Sequence, residues 1–133
     1  MRFLLDTNIL SSLIRDPQGR IAERIKIVGE QSICTSIVVA AELRYGAAKK
    51  ASPRLTEQVE AVLGVIEILP LELPVDEIYG SIRTQLELAG TPVGGNDLLI
   101  AAHAITLDLT LVSDNEREFA RVAGLRIENW LKD

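Results

Sequence analysis

Short apolar runs alternate with longer segments of helical periodicity along this 133-residue chain. The strand candidates are 2–5, 32–35, 66–69 and 109–112, with a last short one at 126–128. Between them apolar residues recur every three or four positions, as in Ile21, Ile25 and Val28, which predicts amphipathic helices. This alternation predicts an α/β fold in which helices cover both faces of a parallel sheet.

Length and composition limit the domain count and the compartment. A chain of this size buries roughly two-thirds of its unfolded surface, so residues 1–133 are predicted to form one domain. The single cysteine, Cys34, cannot form an internal disulfide, which favours a reducing cytoplasm. No apolar run reaches the ~18 residues of a membrane span, and Asp6 and Asn8 interrupt any signal-peptide pattern. We expect a cytoplasmic protein that does not enter a membrane.

Four acidic residues stand where a predicted strand ends or lie at or within a predicted helix. They are Asp6, Glu42, Asp97 and Asp114. In an open α/β sheet, ligands bind in the crevice beyond the carboxyl ends of the strands, so acids distant in sequence can meet there. Carboxylates without thiolate or imidazole suit Mg²⁺ or Mn²⁺. The pattern therefore predicts metal-dependent phosphoryl chemistry, in which a bound ion activates water and stabilises the leaving oxygen.

Each acid also has a purely structural interpretation. Asp6 could cap the following helix, and Asp97 could be a cap or first-turn acid that the helix dipole favours. The glycines at 94–95 would also let a phosphate backbone approach closely. Glu42 lies in an apolar helical stretch, where it could pair with Arg44 or face solvent.

The fourth acidic position is open. Asp114 directly follows a strand, but Asn115 could supply an amide oxygen, and Glu116 or Glu118 could reach back from the next short helix.

Neighbouring polar residues extend the candidate site. Thr7 and Ser113 could bind a water or a phosphate oxygen, or could act as caps, and Thr7 or Asn8 is predicted to cap the first helix. His103, the only histidine, follows Asp97 by six positions, about 240° around a helix, so we expect a packing or surface histidine that does not join the acids.

Charge is unevenly distributed although the net charge is −5. Basic residues predominate between positions 15 and 54, and acidic residues predominate between 57 and 114. This asymmetry suggests a basic face beside an acidic pocket, and an ordinary solvated face is the equal alternative.

Four segments in register resemble the PIN-domain family. They are LDTN (5–8), AELRYG (41–46), GGNDLLIAAHA (94–104) and VSDNEREF (112–119). Within that family the chain is most similar to the VapC toxins of bacterial toxin–antitoxin systems. The resemblance implies a three-layer α/β/α fold, a homodimer, a Mg²⁺- or Mn²⁺-dependent endoribonuclease acting on tRNA or another structured RNA, and inhibition by a VapB-type antitoxin.

The family pattern assigns Asp6, Glu42 and Asp97 as the acidic triad. At the fourth position this sequence has asparagine where many relatives have aspartate, so Asp114, Asn115 and Glu118 compete for that role. In the implied mechanism, Asp6 and Asp97 bind metal while Glu42 orients or deprotonates the attacking water. The candidates for binding the RNA backbone are Arg44, Lys49, Lys50 and Arg54. A groove around Ile14, Ile25 and Leu43 would accept the antitoxin.

Other classes fit less well. A dehalogenase-type phosphatase needs an aspartate two residues after the first, where Asn8 stands, and a receiver domain needs an acidic pair that is not evident. A non-catalytic binding module and an RNA-processing nuclease that is not a toxin remain the alternatives.

Overall fold

Five short strands form one parallel sheet within residues 2–132, the part of the chain that the structure describes. The structure is a computed structural model, and Met1 and Asp133, which fall within the predicted domain, lie outside the described residues. The strands are β1 (Phe3–Leu5), β2 (Ile33–Ser36), β3 (Glu67–Leu69), β4 (Thr110–Val112) and β5 (Ile127–Glu128). Their order across the sheet is β3-β2-β1-β4-β5. The predicted short-stranded parallel sheet is confirmed.

Helices flank this sheet, as the alternating pattern predicted. They are α1 (Thr7–Arg15), α2 (Arg20–Val28), α3 (Ile37–Lys50), α4 (Pro53–Leu63), α5 (Val75–Leu88), α6 (Gly95–Thr106) and α7 (Glu116–Phe119). Ser36 and Ser52 cap α3 and α4, because each hydroxyl accepts a backbone N–H at 3.1 Å. Ser32, predicted to begin the second strand, instead ends a 3₁₀ turn at Glu30–Ser32.

The cap of α1 differs from the prediction that chose Thr7 or Asn8. Asp6 is the cap, and its carboxylate accepts the N–H of Thr7 at 2.8 Å. The Asp6 N–H donates to the carbonyl of Val112 at 2.9 Å, so the chain stays extended through Asp6 and the helix begins one residue later. The structural interpretation of Asp6, in which it caps the following helix, is therefore confirmed.

The buried core includes the central strand β1, its neighbour β4 and much of α6. β1 and β4 pair in parallel and are buried along their length, and Ile100, Ala101 and Ala102 of α6 are fully covered. Among residues 2–132 no helix combines the length and the apolar character needed to cross a bilayer.

The sheet order creates a reversal point at its centre. From β1 the chain adds β2 and β3 on one side, and then returns to add β4 and β5 on the other. At such a point the loops beyond the strands diverge and leave a crevice at the carboxyl edge, where α/β proteins bind ligands. Asp6 and Ser113 are the first residues beyond β1 and β4, and they lie at this crevice.

Candidate active site

Asp6 is held rigidly at the centre of the crevice. Ser113 Oγ donates to Asp6 Oδ2 at 2.7 Å, while the Thr7 N–H donates to Oδ1. The Asp6 side chain is buried, with the residue only 5% exposed. Burial raises the pKa of Asp6, and the bonds from Ser113 and Thr7 oppose that rise without cancelling it. Such a carboxylate is expensive to ionise unless a positive charge is supplied.

Glu42 reaches the same region from α3. Its Oε1 accepts the Thr7 hydroxyl at 2.7 Å, so Thr7 contacts both acids, one through its backbone and one through its side chain. The alternative in which Arg44 neutralises Glu42 is wrong. The Arg44 guanidinium donates instead to both carboxylate oxygens of Glu60, at 2.9 and 3.0 Å.

Asp97 lies in the first turn of α6 and faces a second acid from α7. Asn115 Nδ2 donates to Asp97 Oδ2 at 3.3 Å and to Glu118 Oε2 at 2.7 Å. Burial raises the pKa of Asp97 to about 6, and the charge of Asp6, a hydrogen bond with Glu118 and the charges of Glu118 and Glu42 add to the rise. Asp6, Glu42, Asp97 and Glu118 therefore form one electrostatic unit.

Asp114 occupies a different place. It is exposed, and Asn8 Nδ2 donates to its Oδ1 at 3.1 Å. Its charge raises the pKa of Asp6, so it lies near the crevice, but it is not among the groups that act on Asp97. Glu116 binds Lys132 at 3.5 Å. Four residues were left open by the sequence: Asp114, Asn115, Glu116 and Glu118. Asn115 contacts Asp97 directly, through its amide nitrogen and not its oxygen, and of the three acids Glu118 is the one that Asn115 connects with Asp97.

The donor set fits a hard divalent cation. All of its charged groups are carboxylates, and the charges of neighbouring carboxylates raise the pKa of Asp6 and of Asp97. Within residues 2–132 no three acidic, histidine or cysteine side chains are already gathered tightly enough to hold a metal alone. Mg²⁺ does not require that, since it keeps several waters and commonly takes only one or two protein carboxylates.

These shifts predict that the acids destabilise the metal-free fold at neutral pH. The pKa of Asp97 is about 6 in the folded protein against 3.8 when unperturbed. A carboxyl group whose pKa is raised by folding stabilises the fold at a pH below its pKa in the unfolded chain. That stabilisation is lost as the pH rises through its pKa in the folded protein. Metal-free protein should therefore lose stability between pH 4 and pH 7, by an amount on the order of 1 kcal/mol for this half-exposed group after solvent screening.

Asp97→Asn keeps the acceptor for Asn115 and removes the charge. At pH 7, in chelator, we expect its melting temperature to exceed that of the wild type by about 3 °C. At pH 4.5 the two proteins should melt nearly together. Differential scanning calorimetry at both pH values is the measurement, and a variant less stable than the wild type at pH 7 would contradict the electrostatic interpretation.

A groove leads away from Glu42 between α1, α3 and α4. It has a volume of about 250 Å³ and is mostly apolar, with Ile14 and Leu43 in its wall. Ile25, predicted to join them, does not line it. Arg15 and Lys50 bring positive charge to its rim.

The predicted RNA-binding residues are not all equivalent. Lys50 lies in the groove with Glu42, whereas Arg44 is engaged by Glu60. Lys49 and Arg54 are exposed near the junction of α3 and α4. Arg15 was missed as a candidate, although a basic residue directly after the apolar Ile14, at the end of α1, was a signal present in the sequence.

His103 is buried, with 1% of its surface exposed, and does not touch the acids, as predicted. Its hydrogen bond to Ser36 was not predicted.

The fold and site together define an α/β protein with a carboxylate crevice at the reversal point of a parallel sheet. The family model described as PIN domain matches residues 3–125. The chain is 37% identical to ribonuclease VapC2 of Rickettsia felis, covering 99% of this chain and 100% of the relative. It is also 37% identical to a tRNA(fMet)-specific endonuclease VapC of Shigella flexneri, covering 98% of both chains.

Solved structures agree. A crystal structure of VapBC2 from Rickettsia felis, bound to a DNA fragment from its promoter, superimposes with a TM-score of 0.91 at 35% identity, covering 98% of this chain and 99% of that one. DNA-bound VapBC from Salmonella typhimurium gives a TM-score of 0.91 at 37% identity, with 98% of both chains covered. The chain belongs to the PIN domain family, among its VapC members.

Proposed function

We propose that this protein is an endoribonuclease whose carboxylates bind Mg²⁺ or Mn²⁺ and whose activity a VapB-type antitoxin restrains. The observation that carries the proposal is the group of carboxylates at the reversal point of the sheet, in which the charge of Glu42 raises the pKa of both Asp6 and Asp97, and the charge of Asp6 raises that of Asp97. The full-length similarity to proteins named VapC ribonucleases supports the same activity. We propose that residues 1–133 form a single nuclease domain working in the cytoplasm.

In this proposal the acids divide the work. Asp6 and Asp97 would hold the cation, and Glu118 would be the fourth acid, while Asp114, bound by Asn8, would stay at the edge of the crevice. When bound, the cation supplies the positive charge that activates water and stabilises the leaving oxygen. Glu42, held by Thr7, orients the attacking water and accepts its proton.

The hydroxyl and amide groups position the carboxylates. Ser113 and the Thr7 N–H leave Asp6 with a fixed orientation, and Asn115 spans Asp97 and Glu118. Because every acid has such a neighbour, little rearrangement is needed when a cation enters. The products form when water attacks the phosphorus and the bond to the leaving oxygen breaks.

We propose that the substrate is a structured RNA such as a tRNA, in line with the name of the Shigella flexneri relative. Lys50 and Arg15 border the groove beside Glu42 and would contact phosphates, with Lys49 and Arg54 further along. Contacts of this kind give affinity without reading sequence, so target choice would come from RNA shape.

The partner would be a VapB-type antitoxin, since the solved relatives are VapBC complexes. The apolar walls of the groove suit an amphipathic segment of a protein, which would also cover Glu42. The homodimer implied by the resemblance stays a prediction.

The test is cleavage of a mixed tRNA and structured-RNA pool by purified protein. Cleavage should need Mg²⁺ or Mn²⁺, stop in chelator and return when the metal is restored. Asp97→Asn, purified in parallel, serves as the control for contaminating nucleases. Equal cleavage by the variant, or cleavage that persists in chelator, would contradict the proposal.

A further inference from the structure

A buried hydrogen bond joins the two helices that carry Glu42 and Asp97. His103 Nδ1, on α6, lies 2.8 Å from Ser36 Oγ, at the point where β2 passes into α3. Both residues are closed to solvent, at 1% and 0% exposure. The contact spans 67 positions in sequence and is a buried side-chain hydrogen bond between these two helical segments.

The surroundings favour one direction for this bond. Ser36 Oγ already accepts the N–H of Val38 at 3.1 Å, and its hydroxyl hydrogen can donate to Nδ1. In that arrangement the ring proton is on Nε2, which is buried. The backbone of Pro70, directly after β3, is the polar group that acts on the ring.

The ring stays neutral at the pH of the cytoplasm. Burial lowers the pKa of His103, and the Pro70 backbone opposes that effect only in part. No charged side chain is among the groups that shift its pKa. Neutral imidazole can accept the serine hydroxyl, as the bond requires.

The link has a defined relation to the site acids. Glu42 lies six residues after Ser36, and Asp97 lies six residues before His103. At 1.5 Å per residue, each acid stands about 9 Å along its helix from the link. Because a helix moves as a stiff unit, a shift where α3 begins changes the separation of the two carboxylates.

Packing alone does not account for this residue. A leucine or phenylalanine would fill the space but would leave the buried Ser36 hydroxyl without its partner on α6. We propose that His103 is a positioning residue, which through Ser36 holds the start of α3 against α6 and sets the distance between Glu42 and Asp97. This inference rests on the proposed function, since it concerns the geometry of the same acids.

Two variants break the link and one keeps it. His103→Leu removes the acceptor, and Ser36→Ala removes the donor together with a helix cap. His103→Asn places an amide where Nδ1 stands and can retain the bond. Ser52→Ala is the matched control, because Ser52 caps α4 with the same 3.1 Å bond and no histidine contacts it through an identified hydrogen bond.

The measurements are kcat and KM for RNA cleavage, Mn²⁺ affinity by calorimetry, and melting temperature. We expect His103→Leu and Ser36→Ala to lower kcat by roughly ten- to thirtyfold, with KM within about twofold, because displaced groups lose near-attack geometry. Both should weaken Mn²⁺ binding about fivefold, as supporting contacts do at metal sites. His103→Asn should recover most of both losses, and Ser52→Ala should lose stability like Ser36→Ala while keeping kcat and Mn²⁺ affinity.

Wild-type kcat and Mn²⁺ affinity in His103→Leu would overturn the proposal. Losses of kcat and Mn²⁺ affinity in Ser52→Ala equal to those in Ser36→Ala would also overturn it. If His103→Leu does not fold, Ser36→Ala against Ser52→Ala makes the same comparison. Failure of the proposed function is a separate result: the wild type would then cleave no RNA, while the Mn²⁺ affinities of the variants would still test whether His103 positions the acids.

Discussion

Replacing either Asp6 or Asp97 by asparagine should lower metal-dependent RNA cleavage on the order of 10³-fold. Each change removes a negative charge that would hold the cation at the position where negative charge develops in the transition state. Both replacements keep the shape of the side chain. The amide oxygen of Asp6→Asn can still accept from Ser113 or Thr7, so loss of activity would not reflect loss of fold. Single-turnover cleavage of a defined RNA at saturating Mn²⁺ is the measurement.

The fourth acid supplies an internal comparison. Glu118→Gln should reduce cleavage about tenfold or more, whereas Asp114→Asn should stay within about threefold of the wild type. Asn115 connects Glu118 with Asp97, while Asp114 is exposed and bound by Asn8. The reverse order of effects would return the fourth role to Asp114. Full activity in Asp6→Asn with retained sensitivity to chelator would move the metal site elsewhere.

The fourth acid of the site could not be predicted from the sequence in the way that Asp6 could. Asp6 could be placed because it follows a run of apolar residues that reads as a strand, and strand ends meet at a known edge. Asp114 follows an equally clear strand, and the same rule favoured it. The turn after β4 adds a second candidate: Ser113 Oγ accepts the N–H of Asn115 at 3.0 Å, and Asn115 donates to Glu118 of α7 as well as to Asp97. A turn that is stabilised by a side-chain hydrogen bond leaves no periodic pattern in the sequence from which it could be predicted.

The prediction of the residue that caps α1 was wrong for a related reason. Thr7 and Asn8 are both good cap residues, and propensity could not choose between them and Asp6. The choice depends on how far the ladder between β1 and β4 continues, and the bond from Asp6 N to Val112 extends it by one residue. Local preference was overridden by pairing with a strand about a hundred residues away.

His103 was read correctly in one respect and incompletely in another. Helical geometry rightly separated it from Asp97 on α6, and burial confirms that it packs. The angle along one helix contains no information about a partner on another, and Ser36 becomes its neighbour only when α3 and α6 meet. The contact could not be predicted before the order of the strands was known.

The groove beside Glu42 has the size and the apolar lining to accept a segment of the predicted antitoxin. Apolar side chains of α1, α3 and α4 form its walls, and its floor includes Gly46 and Ala47 of α3. Gly46 lies one helical turn after Glu42, so an occupant there also covers the acid. A Cβ built on Gly46 meets no atom within 4 Å, which means that this position has open space above it.

Gly46→Phe should therefore fill the groove without disturbing the fold, and should weaken binding of the cognate VapB-type antitoxin by about 100-fold through lost anchor contacts. Gly46→Ala is the matched control: it should stabilise the helix by about 0.5–1 kcal/mol and leave binding unchanged, since a methyl group displaces little of the groove. Titration calorimetry with purified antitoxin compares the two, and circular dichroism checks the fold. Equal affinity in Gly46→Phe and the wild type would mean that the antitoxin docks elsewhere. Loss of affinity in Gly46→Phe but not in Gly46→Ala would place the anchoring segment of the antitoxin beside Glu42. Binding of that segment would then cover the acids and so inhibit the enzyme.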